Sequence, residues 1–346
     1  MSKFIKRHKK KIIITSIILF SLLGVLIAFY YSVFGCVLTN TKVEYLYIDN
    51  DDNIDSVRTK IELLGKPTSM LGFNMMNDFT NYDKSIKIGR YKISDNITML
   101  SLFRNLRNGQ QTPVSVVIPS VRTVDEECDR IAKFLMLKSD DIKSLLNDNS
   151  YIEKLGFTKE TLPSLFIPNT YEIYWTTNPT QLIERLKKEY DIFWNDDRIS
   201  QAKELGLTPN EVATLASIVD SETARNQDKP IIARLYLNRI NKKMKLASDP
   251  TVVFALGDFT LRRVLRKHLE IDSPYNTYKY EGLPPGPIRI PSIAGIDAVL
   301  NPDNNDYLFM CAKEDFSGEH YYTSSAEEHA KNAQKYSNAL NRRGIK

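Results

Sequence analysis

Glycine is scarce in this chain, with 14 in 346 residues. Phosphate-cradling loops need glycine where backbone closes on the ligand, and neither a P-loop nor a G-x-G-x-x-G turn after a strand occurs. Cysteine is scarcer still. Cys36, Cys128 and Cys311 make an odd count of 3 with no metal-binding spacing. The 4 histidines, His8, His268, His320 and His329, form no H-E-x-x-H and no paired ligand spacing, so neither a metal nor another cofactor is expected. The serine-hydrolase elbow G-x-S-x-G is missing too. Internal repeats and low-complexity segments are not visible. Acid–base chemistry on carboxylates is what remains.

Charge of one sign is also lacking once the first residues are set aside. The formal net charge is +5, but Lys3, Lys6, Arg7, Lys9, Lys10 and Lys11 all precede the first acid, leaving the rest of the chain at about −1. No nucleic-acid-binding surface is expected from such a balance. The basic tail, 1–11, runs into Ile12–Phe34, an almost unbroken apolar run without charge that can cross a bilayer as one helix, with Tyr30 and Tyr31 where an aromatic belt would lie. The positive-inside rule then puts 1–11 in the cytoplasm and everything after the span outside, as a single-pass protein of the cell membrane. A cleaved signal peptide would have a shorter apolar region. The run is likewise too long for a lipoprotein signal, although Val33-Phe34-Gly35-Cys36 faintly resembles a lipidation box that would make Cys36 an anchor.

With 42% hydrophobic and 26% charged residues the chain is globular, and its length has room for two domains. After a short tether at 35–43, Val43–Ile48 alternates like a strand and Ile54–Leu64 has helical spacing with a stop at Gly65. Ile86–Ile93 reads as a strand, Thr98–Leu106 as a helix ended by Asn108-Gly109, and Pro113–Pro119 as a strand. Together they predict a small α+β module over 43–118 that positions or docks, since it carries no catalytic constellation. Beyond it, 119–346 starts helical, with periodicity over Asp125–Leu137, Asp140–Leu146 and Gln181–Trp194. Tyr171, Tyr174 and Trp175 lie in an aromatic stretch that suits either stacking on sugar rings or a core. The last third is loop-rich. Ser248-Asp249-Pro250-Thr251 reads as a polar turn, and Ser273–Tyr280 and Gly282–Ile288 carry prolines that stiffen the backbone for an extended polar polymer. Tyr307–Ala312 and His320–Tyr322 read as strands and Ala326–Arg342 as a closing helix.

One helix draws attention. Thr208 can cap it, Pro209 takes the first position and Glu211 completes a capping box. Val212, Leu215, Ala216 and Val219 form an apolar stripe, and at about 100° per residue Leu215, Ile218 and Val219 bracket Glu222, while Asp220 falls beyond the edge. A carboxyl on a buried face loses hydration and its pKa rises, the state needed to protonate a glycosidic oxygen. Periodicity alone also allows the helix to end near Asp220, with Glu222 capping the next turn or snorkelling out.

Around that acid the chain carries SIVDSET at Ser217–Thr223, LYLNRI at Leu235–Ile240, SDPTV at Ser248–Val252, YNTY at Tyr275–Tyr278 and GLPPGPI at Gly282–Ile288. These five motifs in order resemble the YceG-like family of endolytic murein transglycosylases, and the likeness extends from a LysM-like region at 43–118 to SSAEEHAKN at 324–332. The resemblance implies an α+β fold: an N-terminal span, a LysM-like module and a YceG-like catalytic domain over 119–346. The implied substrate is the peptidoglycan glycan strand, cut between N-acetylmuramic acid and N-acetylglucosamine to leave 1,6-anhydro ends, which ends strand elongation. Peptidoglycan synthases are the implied partners. The family's acid, in an acid-x-Glu motif, falls on Glu222, with Asn238, Thr251, Tyr275 and Asn276 as candidate sugar contacts. Arg239 and Asp249 could pair across a loop. Two rivals stand beside this reading: a hydrolytic muramidase using Asp220 or Asp249 as second carboxylate, and a non-catalytic glycan-binding scaffold. Pro168-Asn169-Thr170-Tyr171 and Glu319-His320 depart from the family's Pro-Asp-Thr-Tyr and Gly-His.

Overall fold

The computed structural model describes residues 2–39, 43–261 and 263–344, with side chains from His8 onward except those of Leu38 and Thr39. The fold is mixed α+β, in two compact units: Met1–Val114 with Glu172–Thr176, and Ser115–Tyr171 with Thr177–Lys346.

The first unit begins with a helix over Ser2–Phe34, whose stretch His8–Phe34 is apolar enough to cross a membrane and leaves its most apolar part unburied. The expected tether after it is instead a strand. Cys36–Thr39 pairs antiparallel with Gly65–Pro67 and with Ile97–Thr98; four residues are too few to show alternation, so the sequence hid it. Residues 40–42 of that stretch lie outside the described residues. Val43–Ile48 pairs antiparallel with Gly89–Ser94, in register from Val43↔Ser94 to Ile48↔Gly89, and two helices, Ile54–Leu64 and Leu71–Thr80, lie between them in the chain. The side chain of Asn53 accepts from the N–H groups of Asp55 and Ser56, satisfying donors that the first helical turn leaves free. Gly109 ends the helix Met99–Asn108 in a left-handed conformation, φ 67°, which suits glycine. Leu46, Ile48, Ile61, Phe73, Tyr91 and Leu102 make the shared core, all without exposed surface.

In the second unit the helix expected over 125–137 stops at Ile131, and short helices follow at Ser139–Leu146 and Asn149–Lys154. Pro179–Phe193 and Asp196–Glu204 lead to Pro209–Glu222, which begins on the Thr208/Glu211 capping box and ends at Glu222, with Thr223 already extended. This helix is buried from Val212 to Val219 and lies against Lys229–Asn241 and Ile293–Leu300. Leu215, Ile218 and Val219 join Ile232, Leu235 and Ile296 in one core. Burial of such side chains, at roughly 1.5–3 kcal/mol each, fixes the direction in which the helix end points. The polar turn expected at 248–251 is the start of a helix, Asp249–Leu256, with Ser248 just before it and Pro250 in its first turn, where a missing N–H costs nothing. A hairpin, Phe309–Ala312 with His320–Thr323, and a closing helix, Ala326–Arg342, complete the unit.

Candidate active site

Glu222 is the last residue of its helix, so its side chain leaves the packed face where the backbone turns away. Oε1 accepts two hydrogen bonds, from the Tyr236 hydroxyl at 2.7 Å and the Ser248 hydroxyl at 2.6 Å. Tyr236 projects from the helix Lys229–Asn241 and is 1% exposed; Ser248 stands before the helix Asp249–Leu256 and is also 1% exposed. Three helices therefore converge on one carboxyl group. Glu222 lines a cavity of about 460 Å³ with Tyr236, Arg239, Asp249, Tyr278 and His320.

Burial is the main influence on Glu222 and pushes its pKa up. The bonds from Ser248 and Tyr236 oppose this, Asp249 nearby adds to it, and Arg239 works against it; the result remains above the ordinary carboxyl value. Burial and the neighbouring Glu222 lift Tyr236 well above the usual phenol range, which keeps it a donor. Asp249 is also raised by burial, against the bond it accepts from the Tyr278 hydroxyl at 2.6 Å. His320 is held below the ordinary imidazole value by burial, so it adds no fixed charge at neutral pH. A second cavity, of about 310 Å³, has Asp249 in its wall as well, together with Asp220, Arg122, Phe254, Phe259 and Arg289.

Asp220 has a different placement from the expected outer edge. Its side chain is 4% exposed and pairs with Lys229 at 2.8 Å, while Ser292 donates to it from its backbone N–H at 2.6 Å and its hydroxyl at 2.8 Å. The correction has a simple cause: the helix Ile293–Leu300 covers the face that periodicity left open, with Gly295 so close that a Cβ there would lie 2.6 Å from Oδ1. Asp220 is the acid of a buried ion pair.

The four candidate sugar contacts are not among the residues around the Glu222 cavity. Asn238 donates to the carbonyls of Asn305 and Tyr307, and Asn276 to those of Leu269 and Ile271. Thr251, fully buried, bonds Ser248 O and the Thr277 hydroxyl. Tyr275 is half-buried against Phe254, ring centroids 4.7 Å apart. Arg239 and Asp249 do not pair. The guanidinium of Arg239 serves the carbonyls of Leu308, Lys245 and Leu246. At the two departures noted in the sequence, Tyr171 is buried with its hydroxyl on Ile167 O, and Glu319 pairs with Arg225 at 3.0 Å and Lys313 at 2.5 Å. Sequence reasoning missed Tyr236, Ser248 and Tyr278 as neighbours of the acids, although each lies inside a quoted motif. Among the described residues no three His, Cys, Asp or Glu side chains converge as metal ligands.

The sequence profile of the YceG-like family matches residues 46–335. The chain belongs to the YceG-like family. Among curated relatives it is 42% identical over 142 residues to an endolytic murein transglycosylase of Bacillus subtilis, covering 41% of this chain and 39% of that one. It is 27% identical over 326 residues to an endolytic murein transglycosylase of Streptococcus pneumoniae, covering 84% of this chain and 58% of that one. The chain thus spans well under two thirds of these relatives. A crystal structure of a YceG-like protein from Listeria monocytogenes matches with a TM-score of 0.57 at 28% identity, over 84% of this chain and 98% of that one. The YceG-like match contains Glu222, Tyr236, Ser248 and Asp249.

Proposed function

We propose that this YceG-like protein is a membrane-anchored lytic transglycosylase, a lyase that cuts peptidoglycan glycan strands internally between N-acetylmuramic acid and N-acetylglucosamine. The observation that carries the reading is Glu222 itself: a carboxyl raised by burial, held by Tyr236 and Ser248, beside a cavity. In its protonated form Glu222 delivers a proton to the glycosidic oxygen as the bond to the muramic anomeric carbon breaks. As carboxylate it then takes the proton of the muramic 6-hydroxyl, whose oxygen bonds to the anomeric carbon and gives the 1,6-anhydro end. No water is consumed and Glu222 returns to its starting state. Tyr236 and Ser248 stabilise the carboxylate between the two transfers, being donors aimed at Oε1.

Asn238, Thr251 and Asn276 serve this site by fixing the loops around it, whereas Tyr275 offers a ring edge to a sugar. The second cavity, which shares Asp249 with the first and also has Asp220 in its wall, is where further sugars of the strand would lie. The span His8–Phe34 holds the chain in the cell membrane with its basic end in the cytoplasm, and the antiparallel pair Val43–Ile48 with Gly89–Ser94 and the helices Ile54–Leu64 and Leu71–Thr80 act as a LysM-like positioning module. Synthases that extend the strand are the partners this placement favours.

Identifying the ends of cut strands by mass spectrometry tests the reading. Anhydro-muramic ends are expected. Reducing ends would overturn it in favour of a hydrolase using Asp249, the acid that shares the cavity with Glu222, and intact strands would leave a glycan-binding scaffold.

A further inference from the structure

The helix Leu71–Thr80 hides Phe73 and Asn77 and turns a second apolar stripe outward: Leu71 is 54% exposed, Met75 44% and Phe79 90%. These residues are spaced i, i+4, i+8, so they lie on one face. A lone exposed apolar side chain is ordinary, but an aligned row of three with a phenylalanine almost fully bare is not. Its position is informative. Gly72, next to Leu71, sits so tightly on the last turn of the N-terminal helix that a Cβ there would lie 2.1 Å from the carbonyl oxygen of Ser32. Tyr30 and Tyr31, exposed one turn or less before that contact, are the residues that settle at a membrane–water boundary. The strand Cys36–Thr39 follows directly and is paired within the same unit, so little slack chain separates the module from the end of the span. Nine residues of helix extend about 13 Å, which keeps the whole row near that boundary.

We propose that Leu71, Met75 and Phe79 form a lipid-docking face that seats the first module in the interfacial layer of the membrane. The proposal rests on reading His8–Phe34 as a membrane span. Continuity with that span selects lipid as the occupant: an interfacial helix buries its apolar face about 5–10 Å into the headgroup and acyl boundary, the depth at which the Tyr30 and Tyr31 rings lie. Such seating would fix the height and orientation of the module above the bilayer.

The test uses the full chain in phospholipid vesicles with Phe79→Trp, a substitution that removes no buried contact. The emission of the parent, which has Trp175 and Trp194, is subtracted. The added indole should emit at shorter wavelength than in water and be quenched by lipids brominated high on their acyl chains, with Met75→Trp behaving alike. Co-flotation with vesicles but water-like, unquenched emission at both positions would overturn the proposal and assign the face to a protein partner. Failure to float with vesicles would overturn the span reading itself, a separate result.

Discussion

Asp220 and Glu222 are neighbours but one on a single helix, and both carry their carboxyl groups into the protein. Asp220 meets a lysine, a serine hydroxyl and a backbone N–H, which tie it to the starts of two neighbouring helices. Glu222 meets two neutral hydroxyls, with another acid, Asp249, and the Arg239 guanidinium pulling in opposite directions, and burial dominates. A carboxylate paired with a cation holds elements together, whereas one that is desolvated and held by neutral donors has the means to exchange protons. Burial alone does not make an acid useful; what surrounds it decides.

Lys229→Met should destabilise the second unit by about 3–5 kcal/mol, because it leaves the Asp220 carboxylate buried without its cation. Urea unfolding measures this, and an unchanged midpoint would show that the pair is not structural.

Next in size is the balance at Glu222. Tyr236→Phe removes one donor to the carboxylate, a bond worth about 1.5–3 kcal/mol, so strand cutting should fall roughly ten- to hundredfold. Since that bond pulls the Glu222 pKa down, its loss should move the alkaline limb of the pH–rate profile upward. Ser248→Ala should shift the limb the same way, and a downward shift in either would contradict the assigned donors.

A third buried acid sharpens the contrast. Glu127 has no exposed surface and no hydrogen-bond partner for either oxygen; burial pushes its pKa up to about 8, against Arg130 at 4.0 Å. Because the folded value lies above the unfolded one, the stability it contributes is full below about 4.5 and is lost as pH rises through about 8. Within that window the cost is at most about 1.4 kcal/mol per pH unit. Glu127→Gln should flatten that slope in unfolding measured from pH 5 to 8 and leave catalysis unaltered, since Glu127 does not line the Glu222 cavity. An unchanged slope would place the titration elsewhere.

Much of the fold was legible because local signals agreed with it. Val43–Ile48, Ile54–Leu64 and Ala326–Arg342 occupy the residues that alternation, helical spacing and caps assign. Leu71–Thr80 was not legible: it has apolar residues on both its core face and its bare face, with glycine and asparagine inside, so no single stripe stands out. Ile293–Leu300 was hidden for a related reason, being apolar almost all round. At the site, the helix face singled out Glu222, but the same reasoning put Asp220 on an outer edge, because a one-helix argument cannot see the helix that covers it. Asn238, Thr251 and Asn276 drew attention as polar residues within motifs; half-buried Asn238 and fully buried Thr251 and Asn276 hold carbonyls and loops in place. Tyr236 was overlooked because a tyrosine on an apolar helix reads as core, which it also is.

The most direct test compares the two acids in parallel, through release of anhydro-muropeptides from glycan strands with circular dichroism and urea unfolding on the same samples. Glu222→Gln should fold as the parent does and lose activity by about 10⁴-fold or more, since one residue performs both proton transfers. Asp220→Asn should unfold at lower urea but, per folded molecule, keep cutting strands. Near-normal release by Glu222→Gln, or abolished release by a well-folded Asp220→Asn, would contradict the division of labour between the two carboxyl groups.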